Sequence, residues 1–106
     1  MLEQSNQEVN PYFFNVITMF ASSAWCQLGK IQNPANGKIE KDLKGAQITI
    51  DMLLMLRDKT KNNLTKKEEE MLTSMISNLQ VNYADEISKA NSKMGNSVEK
   101  TIEKPN

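Results

Sequence analysis

Few residues in this chain are of a type that does chemistry. There is no histidine and only one cysteine, Cys26. That set argues against a nitrogen-and-sulfur zinc site within one chain. It argues equally against a cysteine–histidine or serine–histidine nucleophile pair. Cys26 lies in an apolar stretch and reads as an inert buried thiol. Asp51 is the one carboxylate with a suggestive setting, between Ile50 and Met52 in the most apolar part of the expected second helix. Burial there would raise its pKa and suit it to acid or base work. No second catalytic partner type accompanies it, and it shares a polar stripe with Lys44, Gln47 and Asp58, so a paired or solvated carboxylate is preferred. The basic cluster Arg57, Lys59, Lys61, Lys66 and Lys67 invites a phosphate contact. No aromatic residue is interleaved, the net charge is zero, and Glu68, Glu69 and Glu70 follow at once. Helix-end electrostatics account for the basic cluster. The expectation is a protein without catalytic residues, metal, cofactor or nucleic-acid partner.

The elements that carry these residues are organised around Tyr12–Gly29, a stretch with no charged side chain that holds all three phenylalanines and the only tryptophan. Asn10 as N-cap, Pro11 in the first turn and Gly29 as a left-handed cap bound a first helix ending at about Leu28. Phe13, Ile17, Phe20, Ala24 and Leu28 follow helical spacing on one side, and Phe14, Ala21 and Trp25 form a stripe beside it. Such a helix is apolar almost all round and must be buried in something.

Lys30–Lys41 holds two turn dipeptides, Asn33-Pro34 and Asn36-Gly37, and predicts a compact turn. A second helix runs from Asp42 as N-cap to about Lys61, apolar on nearly every side through its middle. Asn62-Asn63-Leu64-Thr65 ends it, and Thr65 with Glu68 is a capping box opening a third helix. So short a connection makes the second and third helices an antiparallel hairpin. Met71, Leu72, Met75, Ile76, Leu79, Tyr83 and Ile87 give the third helix one apolar stripe as far as about Ala90. The methionines Met19, Met52, Met55, Met71 and Met75 read as gap-fillers between helices rather than a plastic binding surface. Residues 1–9 are expected to be disordered, 10–90 to form one domain, and 91–106 to be a flexible tail.

The order of these signals resembles the small bacterial family of domain of unknown function 1844 (DUF1844). The residues that carry the resemblance are Phe13 and Phe14, Leu28-Gly29, Pro34 to Lys38, Asp42-Leu43, Ile50-Asp51, Lys59-Thr60, and Asn63-Leu64-Thr65 before Glu68. Asn36 departs from the usual threonine, Asn62 from glycine and Lys66 from proline. The last two keep the physics, because asparagine tolerates the left-handed cap and many residues serve at the first helical position. The resemblance implies a small all-helical cytoplasmic bacterial protein and supplies no catalytic residues.

Charge and cysteine usage agree with that setting. From Lys30 to Lys67 there are nine basic and four acidic side chains; from Glu68 to Glu86 there are five acidic and none basic. A lone cysteine fits a reducing cytosol, and the lack of a leading basic segment argues against a signal peptide. The fold expected is an all-α bundle of three helices. Its first two helices are apolar on more faces than one layer can cover, so a homo-oligomer, most simply a two-fold dimer, is expected. Phe13, Phe14, Ile17, Phe20, Trp25, Met52, Met55 and Leu56 are the expected contact surface of a non-enzymatic interaction or scaffold module. An unknown protein partner is the other use for that surface. The alternative is a membrane-associated accessory protein using residues 12–29, whose length of roughly 27 Å approaches the ~30 Å of a bilayer core. Asn15, Thr18, Ser22, Ser23 and Gln27 dilute its hydrophobicity and weigh against that alternative.

Overall fold

A computed structural model describes residues 8–103, with side chains through Ser92. Three helices make the all-α fold: α1 (Pro11–Gln27), α2 (Leu43–Lys59) and α3 (Lys66–Glu103). The described residues contain no strand, only an isolated antiparallel bridge between Asn33 and Lys38.

Local chemistry sets each helix end. The Asn10 side chain accepts from the backbone N–H of Tyr12 and Phe13, satisfying two of the unpaired donors that open α1. Gly29 closes α1 at φ +79°. Asp42 caps α2 by accepting from Gly45 N. Asn62 takes the left-handed conformation at φ 69° in the turn after α2. Thr65 and Glu68 form the reciprocal capping box at the start of α3. The second helix ends at Lys59, two residues before the expected Lys61, with Thr60 as its cap and Asn62 at positive φ turning the chain away. The expected stop of the third helix near Ala90 is also passed, and α3 reaches Glu103. No proline falls between Lys66 and Glu103, and Gly95 alone costs a helix only about 1 kcal/mol. The expected flexible tail is therefore helical in its backbone through Glu103; residues 1–7 and 104–106 of the expected termini lie outside the described residues.

The direction of each helix follows from long-range contacts. Asn10 N donates to Glu68 Oε2 at 2.7 Å, and Lys30 Nζ donates to Glu86 Oε2 at 2.7 Å. Both ends of α1 thus meet α3 in the same order, so the two helices run parallel. Gln47 near the start of α2 receives the Tyr83 hydroxyl, while Arg57, Asp58 and Lys61 share a cleft with Glu69 and Thr73. α2 and α3 therefore run in opposite directions. The core between the helices is Ile17, Ala21, Ala24 and Leu28 from α1 and its cap, Ala46, Ile50 and Leu53 from α2, and Leu72, Ile76 and Leu79 from α3. Ala24 and Ala46 are fully enclosed, which lets α1 and α2 approach closely.

Two glutamates, Glu68 and Glu86, are buried on α3. Burial pushes the Glu68 pKa up, but the N–H groups of Asn10 and Thr65 and the Thr65 hydroxyl outweigh it and hold it below the usual value. Thr65 Oγ1 also donates to the Glu8 carbonyl at 2.8 Å, which fixes a residue from the segment expected to be disordered. Glu86 accepts from Lys30 and is paired with Lys41 Nζ at 2.7 Å and Lys89 Nζ at 3.6 Å. The Lys30 and Lys41 ammonium groups prevail over its burial and lower its pKa to about 2. The opposite charges of the middle and last thirds of the chain are thus partly consumed within one copy. Gly29 makes this possible: a Cβ there would come within 2.6 Å of the Lys41 stem.

A carboxylate whose pKa falls on folding stabilises the fold above its unfolded pKa and loses that effect as pH falls through its folded pKa. For Glu86 the contribution is complete above about 4.5 and disappears toward about 2. Urea midpoints measured across this range should fall steeply for the wild type and more shallowly for Glu86→Gln; parallel curves would show that the lysine cluster adds no stability.

Candidate interaction surface

Two sides of α1 are occupied by its neighbours. Gln27 faces α2: its amide nitrogen lies 2.7 Å from Thr49 Oγ1 and 3.3 Å from the Gly45 carbonyl. The Asp42 N–H also donates to the Gln27 carbonyl at 2.8 Å. Ala21 and Trp25 face α3 across a cleft shared with Met71, Ser74, Met75 and Asn78. With 3.6 residues per turn, Val16 lies three turns before Gln27 and so on the α2 side. Tyr12 and Met19 lie at i−4 and i+3 from Val16. On α2, Met52 is two turns beyond Gly45 and therefore lies on the α1 side, with Ile48 and Met55 at i−4 and i+3.

The triplets lie on the outer sides of α1 and α2, away from α3; because these helices run antiparallel with Gln27 opposite Thr49, the Met19 end of one comes level with the Met55 end of the other. Tyr12 is 81% exposed and Met19 67%; Val16, Ile48, Met52 and Met55 are each between 42% and 51% exposed. Single exposed apolar residues are ordinary, but exposed apolar side chains on the outer sides of two neighbouring helices, closest at Met19 and Met55, offer a contact site. α1 contributes no charge to interrupt it.

The residues expected at the contact surface divide into three groups. Ile17 is fully enclosed and belongs to the core, so it has no surface to offer. Phe13, Phe20, Trp25 and Leu56 are partly buried and pack against that core. Phe14, Met52 and Met55 are exposed, Phe14 on the α3 side of α1 and the two methionines on the outer face. Tyr12, Val16, Met19 and Ile48 were not among the expected residues. Their signal is in the spacing: 12, 16, 19 and 48, 52, 55 repeat the same interval of four and three.

Asp51 is exposed, so it lacks the burial that an acid or base role would need. Cys26 Sγ donates weakly to the Gln32 carbonyl at 3.5 Å beneath the loop. That loop is compact: Asn33 and Asn36 each bind backbone N–H groups two residues on, and both amides reach Glu40. Among the described residues no group of three possible ligands could hold a metal ion, and no helix is long and apolar enough to cross a membrane. α1 has only 17 residues, and its polar side chains dilute its hydrophobicity.

A family model described as domain of unknown function (DUF1844) matches residues 10–85. Comparison with curated proteins and with solved structures gives no match.

Trp25 is partly buried between α1 and α3. Trp25→Asp should lower stability by about 1–3 kcal/mol, and thermal unfolding followed by circular dichroism measures it. A melting temperature equal to the wild type would show that Trp25 does not hold α1 against α3.

Proposed function

The chain belongs to the family of domain of unknown function DUF1844, and from that premise we propose that it is a non-enzymatic interaction module that self-associates through the outer face of its α1–α2 layer. The observation that carries this reading is the exposure of Tyr12, Val16, Met19, Ile48, Met52 and Met55 on the outer sides of α1 and α2. Burying one such side chain from water is worth roughly 1.5–3 kcal/mol. Several together can offset the cost of bringing two copies together. A two-fold dimer is the simplest closed solution, because the same patch then serves both copies. The reading places the module in the bacterial cytoplasm, in keeping with its single unpaired cysteine.

The face carries flexible methionines on α1 and α2, which adapt to a partner surface at little cost.

Light scattering in detergent-free buffer tests the reading. The wild type should have twice the 12.0 kDa mass of one chain. Val16→Asp/Met52→Asp should have the mass of one chain with its helix content unchanged, because neither residue belongs to the core. A monomeric wild type, or a double variant that keeps the wild-type mass, would overturn it.

A further inference from the structure

The loop between α1 and α2 carries the one Asn-Gly pair of the chain, Asn36-Gly37. Such a pair has a chemistry of its own. The side-chain amide of an asparagine is within reach of the next residue's backbone nitrogen, and attack by that nitrogen closes a cyclic imide. A side chain on the next residue hinders the approach, and glycine has none. Every other asparagine followed by a residue precedes one that bears a side chain. Asn36 and Gly37 are both exposed. Gly37 sits at φ +69°, and nothing lies within 4 Å of where a Cβ would stand.

The closed loop ties up each group that this reaction needs. The nucleophile is the Gly37 nitrogen, whose N–H donates to the Asn33 carbonyl at 2.7 Å. The electrophile is Asn36 Cγ, whose Oδ1 accepts from the Lys38 N–H at 3.0 Å, which fixes the side chain in its turn. The leaving group is Asn36 Nδ2, which donates to Glu40 Oε1 at 3.3 Å. The same Glu40 oxygen lies 3.5 Å from Asn33 Nδ2, so one carboxylate holds both asparagines. The Asn33 N–H closes the loop on the Lys38 carbonyl at 2.8 Å.

We infer that Asn36 is a site of spontaneous deamidation gated by the closure of this loop, and that Glu40 is the residue that keeps it closed. When the loop opens, the Gly37 nitrogen gives its proton to hydroxide and bonds to Asn36 Cγ. The Cγ–Nδ2 bond breaks, and Nδ2 takes a proton from water and leaves as ammonia. Water then adds to one of the two imide carbonyls and opens the ring to aspartate or isoaspartate. One water is consumed and one ammonia released, with no change of oxidation state. Either product sets a carboxylate beside Glu40 where an amide donor stood, and like charges repel. Isoaspartate also lengthens the main chain between Asn33 and Lys38, so their bridge loses its register. The conversion is irreversible, and a loop that has opened once is thereby kept open. Cys26, whose Sγ lies under the loop at 3.5 Å from the Gln32 carbonyl, is then uncovered.

Peptide mass spectrometry of the full-length protein, held in mildly alkaline buffer, tests this. In the folded wild type, residue 36 should convert at least about tenfold more slowly than in the same chain in urea, because only the open fraction reacts. Glu40→Ala should lose most of that protection with an unchanged helical circular dichroism signal. In the converted fraction Cys26 should alkylate faster than in the unconverted one. Equal rates in buffer and in urea, or another asparagine converting ahead of Asn36 in urea, would overturn the assignment of the site. A Glu40→Ala rate equal to the wild type would overturn the role of Glu40, and unchanged alkylation of Cys26 would overturn the lasting opening of the loop.

Discussion

A helix without a charged side chain cannot present all its sides to water, and α1 is such a helix. Its burial requires two neighbours. α2 lies along one side, where Gln27, Thr49 and Gly45 meet, and α3 along another, where Trp25 meets Met71 and Met75. α2 is itself apolar on more than one side, so the pair forms a layer with two apolar faces. One α3 segment can cover only one of them. The self-association proposed above would supply the missing cover.

α3 also acts as the ruler of the fold. Its two buried carboxylates are eighteen positions apart, about 27 Å along a helix. Glu68 binds the backbone before α1, and Glu86 receives Lys30 and Lys41 from the loop after it. The 17 residues of α1 fit that interval. Removing one partner from such a buried site would leave an uncompensated charge, a costly state. The lysine pair depends in turn on Gly29, whose missing side chain leaves room for the Lys41 stem.

Much of this was legible in the sequence where the signals are local. Asn10 with Pro11, Gly29, Asp42, and Thr65 with Glu68 each act within one helical turn, and the helix starts they imply are those observed. Asn62 in place of glycine was readable for the same reason. The assignment of sides was not. Ile17 and Val16 are adjacent on a helix apolar all round, and periodicity alone does not tell which one faces inward; only the position of α2 and α3 decides it. The role of Glu86 was equally hidden, because its partners are 45 and 56 residues away in the chain. An apolar repeat from Ile87 to Ile102 was visible as residues, yet its polar surroundings and Gly95 pointed to a tail. With helix formation costly to start and cheap to extend, α3 propagates through them.

The central claim is that the outer α1–α2 face is covered in the native assembly. Methionine oxidation reads that face directly, since Met19, Met52 and Met55 lie on it and are well exposed in a single copy. Oxidation by dilute peroxide, followed by peptide mass spectrometry over a range of protein concentrations, gives a rate for each methionine. Protection of all three that grows with concentration and is lost on dilution is the result expected. Rates at these methionines that stay equal to those of the unfolded chain at every concentration would contradict the account.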